Sequence, residues 1–185
     1  MMWSLPIAVE IDEKEYAIRN KCDYRVVLDV IAVLKDNDLN QEEKIKCSLF
    51  IFYEDITGLE DVETAVNEML KIIEVGEEEE NNNEPPKPQL VDWEHDFTQL
   101  APPISRTLGY SVRDANHYTH WYDFIGAYME IGECTFSNII TIRSKKQKGK
   151  PLEKWEQEFY RENKKLVDLP QNLTEEEKEW LDSDW

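Results

Sequence analysis

His117, His120 and Asp123, set three residues apart, are the densest gathering of chemically capable side chains in the sequence. Residues three apart are neighbours on a helix, so two imidazoles and a carboxylate could converge on a metal ion there. The spacing lacks the H-E-x-x-H order of a zinc hydrolase, and the nearby thiol is a lone Cys134. Tyr118, Trp121, Tyr122 and Phe124 crowd the same stretch. Histidines beside buried aromatics more often hydrogen-bond within a core than bind a metal. The expectation is packing, with no metal and no cofactor.

Other chemistries find less support. There is no Gly-x-Ser-x-Gly elbow, and Cys134 lies in no signature of an activated thiol. Gly58, Gly76, Gly109, Gly126, Gly132 and Gly149 stand singly, so no phosphate-cradling loop is expected. With 40 acidic residues in 185, close carboxylate pairs carry no information. The sequence predicts no catalytic residues and no enzyme. One basic run, Arg143, Lys145, Lys146, Lys148 and Lys150, could meet a nucleic acid or could complement a helix C-terminus. The helix-end reading needs no partner and is preferred.

The elements that would position these residues follow from periodicity. Ile7, Val9 and Ile11 alternate, Asp12 to Glu15 offer a turn, and Tyr16 to Arg19 return, which predicts a β-hairpin. Val27, Val30, Ile31 and Leu34 form one helical face over 23–35. Asn40 with Glu43 makes a variant capping box opening a helix to about Asp55. Ile45, Leu49, Phe50, Ile51, Phe52 and Tyr53 wrap most of that helix, which predicts a central, buried one. Val62, Ala65, Val66, Met69, Leu70 and Ile73 mark a third helix, with Gly76 as its stop.

A helical period resumes at Trp93, Phe97, Leu100, Ala101, Ile104 and Leu108, interrupted by Pro102-Pro103. An interior proline costs about 3 kcal/mol, so a kink or two short helices is predicted, with Gly109 as the stop. Ser111 or Asp114 would cap the next helix, placing Tyr118, Trp121, Tyr122, Ile125 and Met129 on one face. Phe136, Ile139, Ile140 and Arg143 continue in a further helix, although 139–142 would also pass as a strand. Pro151 would start a helix carrying Leu152, Trp155 and Phe159, and Thr174 with Glu177 forms a last capping box.

These elements make a mainly α protein, a small helical bundle with a short N-terminal β-hairpin. Residues 76–89, G-E-E-E-E-N-N-N-E-P-P-K-P-Q, can neither bury a face nor sustain a helix, and so read as an acidic, proline-rich linker. It separates a hairpin-plus-helical half, 1–75, from a helical half with an acidic tail, 90–185. The net charge of −19 is uneven: residues 1–75 carry 17 acidic and 8 basic side chains, whereas 90–150 balance at 7 each. Such acidity repels phosphate backbones and disfavours nucleic-acid binding. No stretch approaches the roughly 18 apolar residues of a membrane-spanning helix. Met1-Met2-Trp3-Ser4 has no basic region leading an apolar one, so no secretory signal is expected. Cys22, Cys47 and Cys134, odd in number and widely spaced, suit free thiols in a reducing cytoplasm.

Four stretches carry a resemblance: Leu90-Val91-Asp92-Trp93-Glu94-His95-Asp96, Leu108-Gly109-Tyr110-Ser111-Val112, His120-Trp121-Tyr122-Asp123-Phe124 and Phe136-Ser137-Asn138-Ile139-Ile140-Thr141-Ile142-Arg143. With the hairpin and Leu39 to Ile45, they resemble a family of small siphophage proteins encoded near the tape-measure gene. Pro102-Pro103 departs from that family, where an uninterrupted helix is usual. The resemblance implies a tail-assembly chaperone in the host cytoplasm whose partner is the phage tape-measure protein. A tape measure is a long helical chain whose apolar seams stay exposed until the tube surrounds it, and exposed seams aggregate. Helix-in-groove binding suits a helical chaperone, and the face of Trp121, Tyr122, Ile125 and Met129 is the candidate groove. The spacing of the same face fits a plain core better than a groove. An acidic decoy mimicking DNA for a host protein and a structural tail component are the alternatives.

Overall fold

The computed structural model describes residues 4–75 and 89–170. Among them the chain divides into two compact units, one of residues 4–75 with 118–124 and the other of 89–117 with 125–170.

The first unit opens with the hairpin. Strand β1 (Ala8–Ile11) pairs antiparallel with β2 (Lys14–Ala17), with Val9 opposite Tyr16 and Ile11 opposite Lys14. Only Asp12 and Glu13 form the turn, both at positive φ (51° and 62°), as a two-residue hairpin with right-handed strand twist requires. Val9, Ile11, Tyr16 and Ile18 face inward and are buried. Helix α1 (Tyr24–Lys35) is capped by Asp23, which accepts from the Arg25 N–H at 3.0 Å. Helix α2 (Gln41–Phe52) carries the expected capping box: Asn40 Oδ1 accepts from Glu43 N at 3.0 Å, and Glu43 Oε2 accepts from Asn40 N at 2.9 Å. Helix α3 (Val62–Ile73) is capped by Asp61. The expected stop at Gly76 lies outside the described residues.

Burial of α2 differs from expectation. Only Ser48, Leu49 and Phe52 are buried on it, and Phe50 is 67% exposed. Helices α1 and α3 pack against it, and two neighbours cover one side of a helix, so the remaining apolar residues meet solvent. Its last carbonyls are collected by one side chain. Arg19 Nε donates to Ile51 O, and Nη2 donates to Phe50 O and Tyr53 O, each at 2.8 Å. A cation at a helix C-terminus also complements the dipole.

In the second unit, α4 (Trp93–Leu108) runs unbroken through Pro102 and Pro103. This overturns the prediction of two short helices. Proline at 102 withholds an N–H from the Thr98 carbonyl four residues earlier, and the Arg113 guanidinium donates to that carbonyl instead, at 3.3 Å. Gly109 ends α4 in the left-handed conformation (φ 81°), as the sequence predicts.

Helix α5 (Trp121–Met129) starts later than expected. Ser111 and Asp114 cap no helix. Their side chains accept from Arg113 N and Asn116 N in consecutive local turns, leaving Tyr118 outside the helix. Its first turn belongs to the first unit and residues from 125 onward to the second.

Residues 139–142 are helical, within α6 (Thr135–Gln147), so the strand alternative falls. Helix α7 (Lys154–Glu162) begins three residues after Pro151, where Glu153 N donates to Glu156 Oε2 at 2.7 Å. The short α8 (Lys164–Val167) follows. Ile139, Ile142 and Val167 form a buried cluster with Leu152, Phe159, Tyr160 and Leu166 packed on it. The capping box at Thr174 lies outside the described residues. Eight α-helices and one hairpin among the described residues make a mainly α protein. No described helix is long and apolar enough to cross a membrane.

Candidate functional site

In the first unit, residues 118–124 are held by hydrogen bonds to a tight turn. Asn20, Lys21 and Cys22 are consecutively left-handed, at φ 49°, 55° and 63°, a conformation costing L-residues about 1–2 kcal/mol each. It turns the Lys21 and Cys22 carbonyls onto this segment, where Tyr118 Oη donates to Lys21 O at 2.8 Å and Trp121 N to Cys22 O at 2.9 Å. Tyr24 N donates to Thr119 O at 2.9 Å, and Thr119 N donates to Asp23 Oδ2 at 3.2 Å. The rings of Tyr24 and Phe124 stack at 4.3 Å, 3° from parallel.

His120 is fully buried, and its two nitrogens have opposite tasks. A backbone N–H can only donate, so Nδ1 accepts from Tyr122 N at 3.0 Å. A carbonyl can only accept, so Nε2 donates to Pro6 O at 2.9 Å. The ring is thereby a neutral imidazole with both positions filled, tying the chain before the hairpin to the start of α5. His117 is exposed in the second unit, its ring against Tyr110 at 3.7 Å between centroids. The structure does not bring His117, His120 and Asp123 together as ligands: no metal-competent group of three occurs among the described residues.

The four residues expected to line a groove have separate fates. Trp121 is buried at 2% exposure, with Nε1 donating to Ile73 O at 2.9 Å. Tyr122, also in the first unit, is half-buried. In the second unit Ile125 is buried, whereas Met129 is 67% exposed. Burial pushes the Cys22 thiol up to about 12, outweighing the hydrogen bond from the Trp121 N–H, so at neutral pH this thiol is protonated and a poor nucleophile. Tyr118 is likewise pushed up to about 12 by burial and by the neighbouring Cys22, Asp23 and Asp123.

The second unit is organised by a buried ion pair that sequence reasoning missed. Arg143 on α6 and Asp96 on α4 meet fork to fork, Nη1 to Oδ2 at 2.6 Å and Nη2 to Oδ1 at 2.8 Å, with side chains 4% and 2% exposed. The other donor positions of the guanidinium are also filled: Nε donates to Val167 O at 2.6 Å, Nη1 to Leu90 O at 2.8 Å and Nη2 to Leu166 O at 2.8 Å. Asp96 Oδ2 accepts in addition from Asp92 N at 3.0 Å. One side chain thus fixes the chain before α4, α4 itself, α6 and the end of α8.

Both members were visible as anomalies. Asp96 lies on the apolar face of α4, three residues after Trp93 and four before Leu100, and Arg143 lies four after Ile139. A charge on an apolar stripe marks a side chain that needs a buried partner, without saying which. Two lysines of the basic run are also paired within the unit: Lys145 reaches both oxygens of Glu156 at 2.6 and 2.8 Å, and Lys146 reaches Asp168 and Tyr160.

Fold and geometry together define a small helical protein whose polar side chains at the quoted sequence motifs hold its own elements in place. It belongs to the family described as Bacteriophage Gp15 protein, whose family model matches residues 1–169. The chain is therefore a bacteriophage protein. No curated protein and no solved structure matches it.

Proposed function

We propose that this phage protein is a tail-assembly chaperone. It binds the tape-measure protein of its own phage in the host cytoplasm and keeps it soluble, without catalysis and without a cofactor. The observation that carries the reading is an exposed methionine on an acidic protein. Met129 leaves two-thirds of its surface open on a chain of net charge −19. An unbranched thioether adapts to varied apolar surfaces, which suits a seam presented by a long helix, and the acidic exterior keeps the pair in solution. Of the residues expected in the groove, Met129 in the second unit meets the partner directly, and buried Ile125 of the same unit holds the segment that presents it.

Co-expression with the tape-measure protein of the same genome tests this. The tape measure is expected to be insoluble alone and to co-purify with the wild-type chain. Met129→Glu is expected to abolish co-purification while leaving the unfolding midpoint within about 0.5 kcal/mol of wild type, as for an exposed position. A tape measure equally soluble with and without this chain would overturn the proposal.

A further inference from the structure

The second unit holds a cleft of about 330 Å³ lined by Leu90, Ile140, Thr141, Ser144, Lys145, Lys148 and Lys150. Acidic residues outnumber basic ones 40 to 21 in the chain, yet this lining has three lysines and no carboxylate. The helix end gathers the lysines. Gly149, left-handed at φ 61°, closes α6: Gly149 N donates to Lys146 O at 3.1 Å and Lys150 N to Lys145 O at 2.9 Å. This paired C-terminal turn folds the chain back, so that Lys150 returns beside Lys145. Lys145 is committed to Glu156, whereas Lys148 and Lys150 form no ion pair among the described residues.

The opposite wall is fixed by the network already described. Arg143 holds the Leu90 carbonyl, and Gln147 Nε2 donates to Gln89 O at 2.9 Å. A helix C-terminus needs cations to complement its carbonyls, and Lys145 and Lys146 in the last turn already meet that need. Two further ammonium groups beside Leu90 and Ile140 give a surface apolar on one side and cationic on the other.

We propose that this cleft binds a peptide segment of a partner protein in which an aspartate or glutamate stands beside a large aliphatic residue. The carboxylate lies between Lys148 and Lys150, and the aliphatic side chain lies against Leu90 and Ile140. The net charge disfavours such a partner at long range. The cleft acts within about 8 Å, the screening length at physiological salt, where Glu153 and Glu156 offset Lys145 and leave Lys148 and Lys150 to meet the carboxylate. The inference concerns this unit alone and holds whichever protein supplies the segment.

The test is fluorescence anisotropy of the full chain with a short labelled peptide built of Glu-Leu pairs, beside a Gln-Leu counterpart. Saturable binding of the Glu peptide is expected. The affinity should fall at least tenfold for the Gln peptide and for the Lys148→Gln/Lys150→Gln double variant. Both positions are exposed, so an unchanged far-ultraviolet spectrum and unfolding midpoint are expected for that variant. Absence of binding, equal binding by the double variant, or equal displacement by inorganic phosphate or an oligothymidylate would each overturn the proposal. A tape measure that ignores the chain while the peptide result stands would overturn the chaperone reading alone.

Discussion

Arg143 shows how one side chain comes to organise a unit. A guanidinium has five donors in a rigid fork, and here each meets an oxygen, two on Asp96 and three on backbone carbonyls. Burying two charges has a large desolvation cost that the pairing offsets, so the pair matters most when half of it is removed. Arg143→Met strands a buried carboxylate, and Asp96→Ala strands a buried cation. Either is expected to destabilise by about 3–5 kcal/mol, measured as the shift in urea midpoint multiplied by the slope. A loss below about 1 kcal/mol would show the pair to be incidental. Arg143→Lys is expected to fall in the same range, because an ammonium cannot reproduce a two-pronged contact and three carbonyl bonds. The separate stretches containing Asp96 and Arg143 were legible as motifs, and their union was not. Forty-seven residues separate them, and no local rule pairs an aspartate in a helix's first turn with one cation of a basic run. His120 was legible as a core histidine, but its partners Pro6 and Tyr122 emerge only with the fold.

At the scale of elements, helices with a clean apolar period and a side-chain cap were readable nearly to their ends, as α1, α2 and α3 show. What failed were boundaries and environments decided by tertiary partners. In α4 the carbonyl that Pro102 leaves without its helical donor, Thr98 O, is met by Arg113 from outside the helix. Pro102 itself is exposed, so Pro102→Ala is expected to stabilise the protein, by about 1–3 kcal/mol, as the helix regains its own hydrogen bond. A lower unfolding midpoint would show instead that the proline fits a shape alanine loses.

Helices α6, α7 and α8 are joined by charges, with a titrating consequence. Burial pushes the carboxyls of Glu156 and Asp168 up, but it is outweighed. Hydrogen bonds from Lys145 and the Glu153 N–H to Glu156, and from Lys146 and Tyr160 to Asp168, bring both below the usual range, helped by the lysine charges. Each carboxyl is thus more acidic folded than unfolded. The stability they contribute is full above about pH 5 and is lost as the pH falls through the folded values. Urea midpoints measured from pH 7 to pH 3 should therefore fall toward acid, and Asp168→Asn should fall less steeply than wild type.

For the molecule as a whole, the charge is the dominant fact. Acidic side chains exceed basic ones by 19, and several lysines are spent locally, Lys71 on Glu68, Lys145 on Glu156 and Lys146 on Asp168. The remaining carboxylates repel one another, and a compact state concentrates that repulsion relative to an unfolded chain. Salt screens exposed charges and hardly touches a pair as buried as Asp96 with Arg143. Salt therefore relieves the repulsion more than it weakens the fold. Raising sodium chloride from about 10 mM to about 150 mM, where the screening length drops from about 30 Å to about 8 Å, is expected to raise the thermal midpoint. A midpoint that falls over this range would mean that exposed ion pairs such as Lys71 with Glu68 outweigh the repulsion. The acidity would then carry no stability cost for a binding role to justify. A rise would mean that the fold tolerates a standing electrostatic penalty, as expected if a highly charged exterior is kept for the solubility of a bound partner.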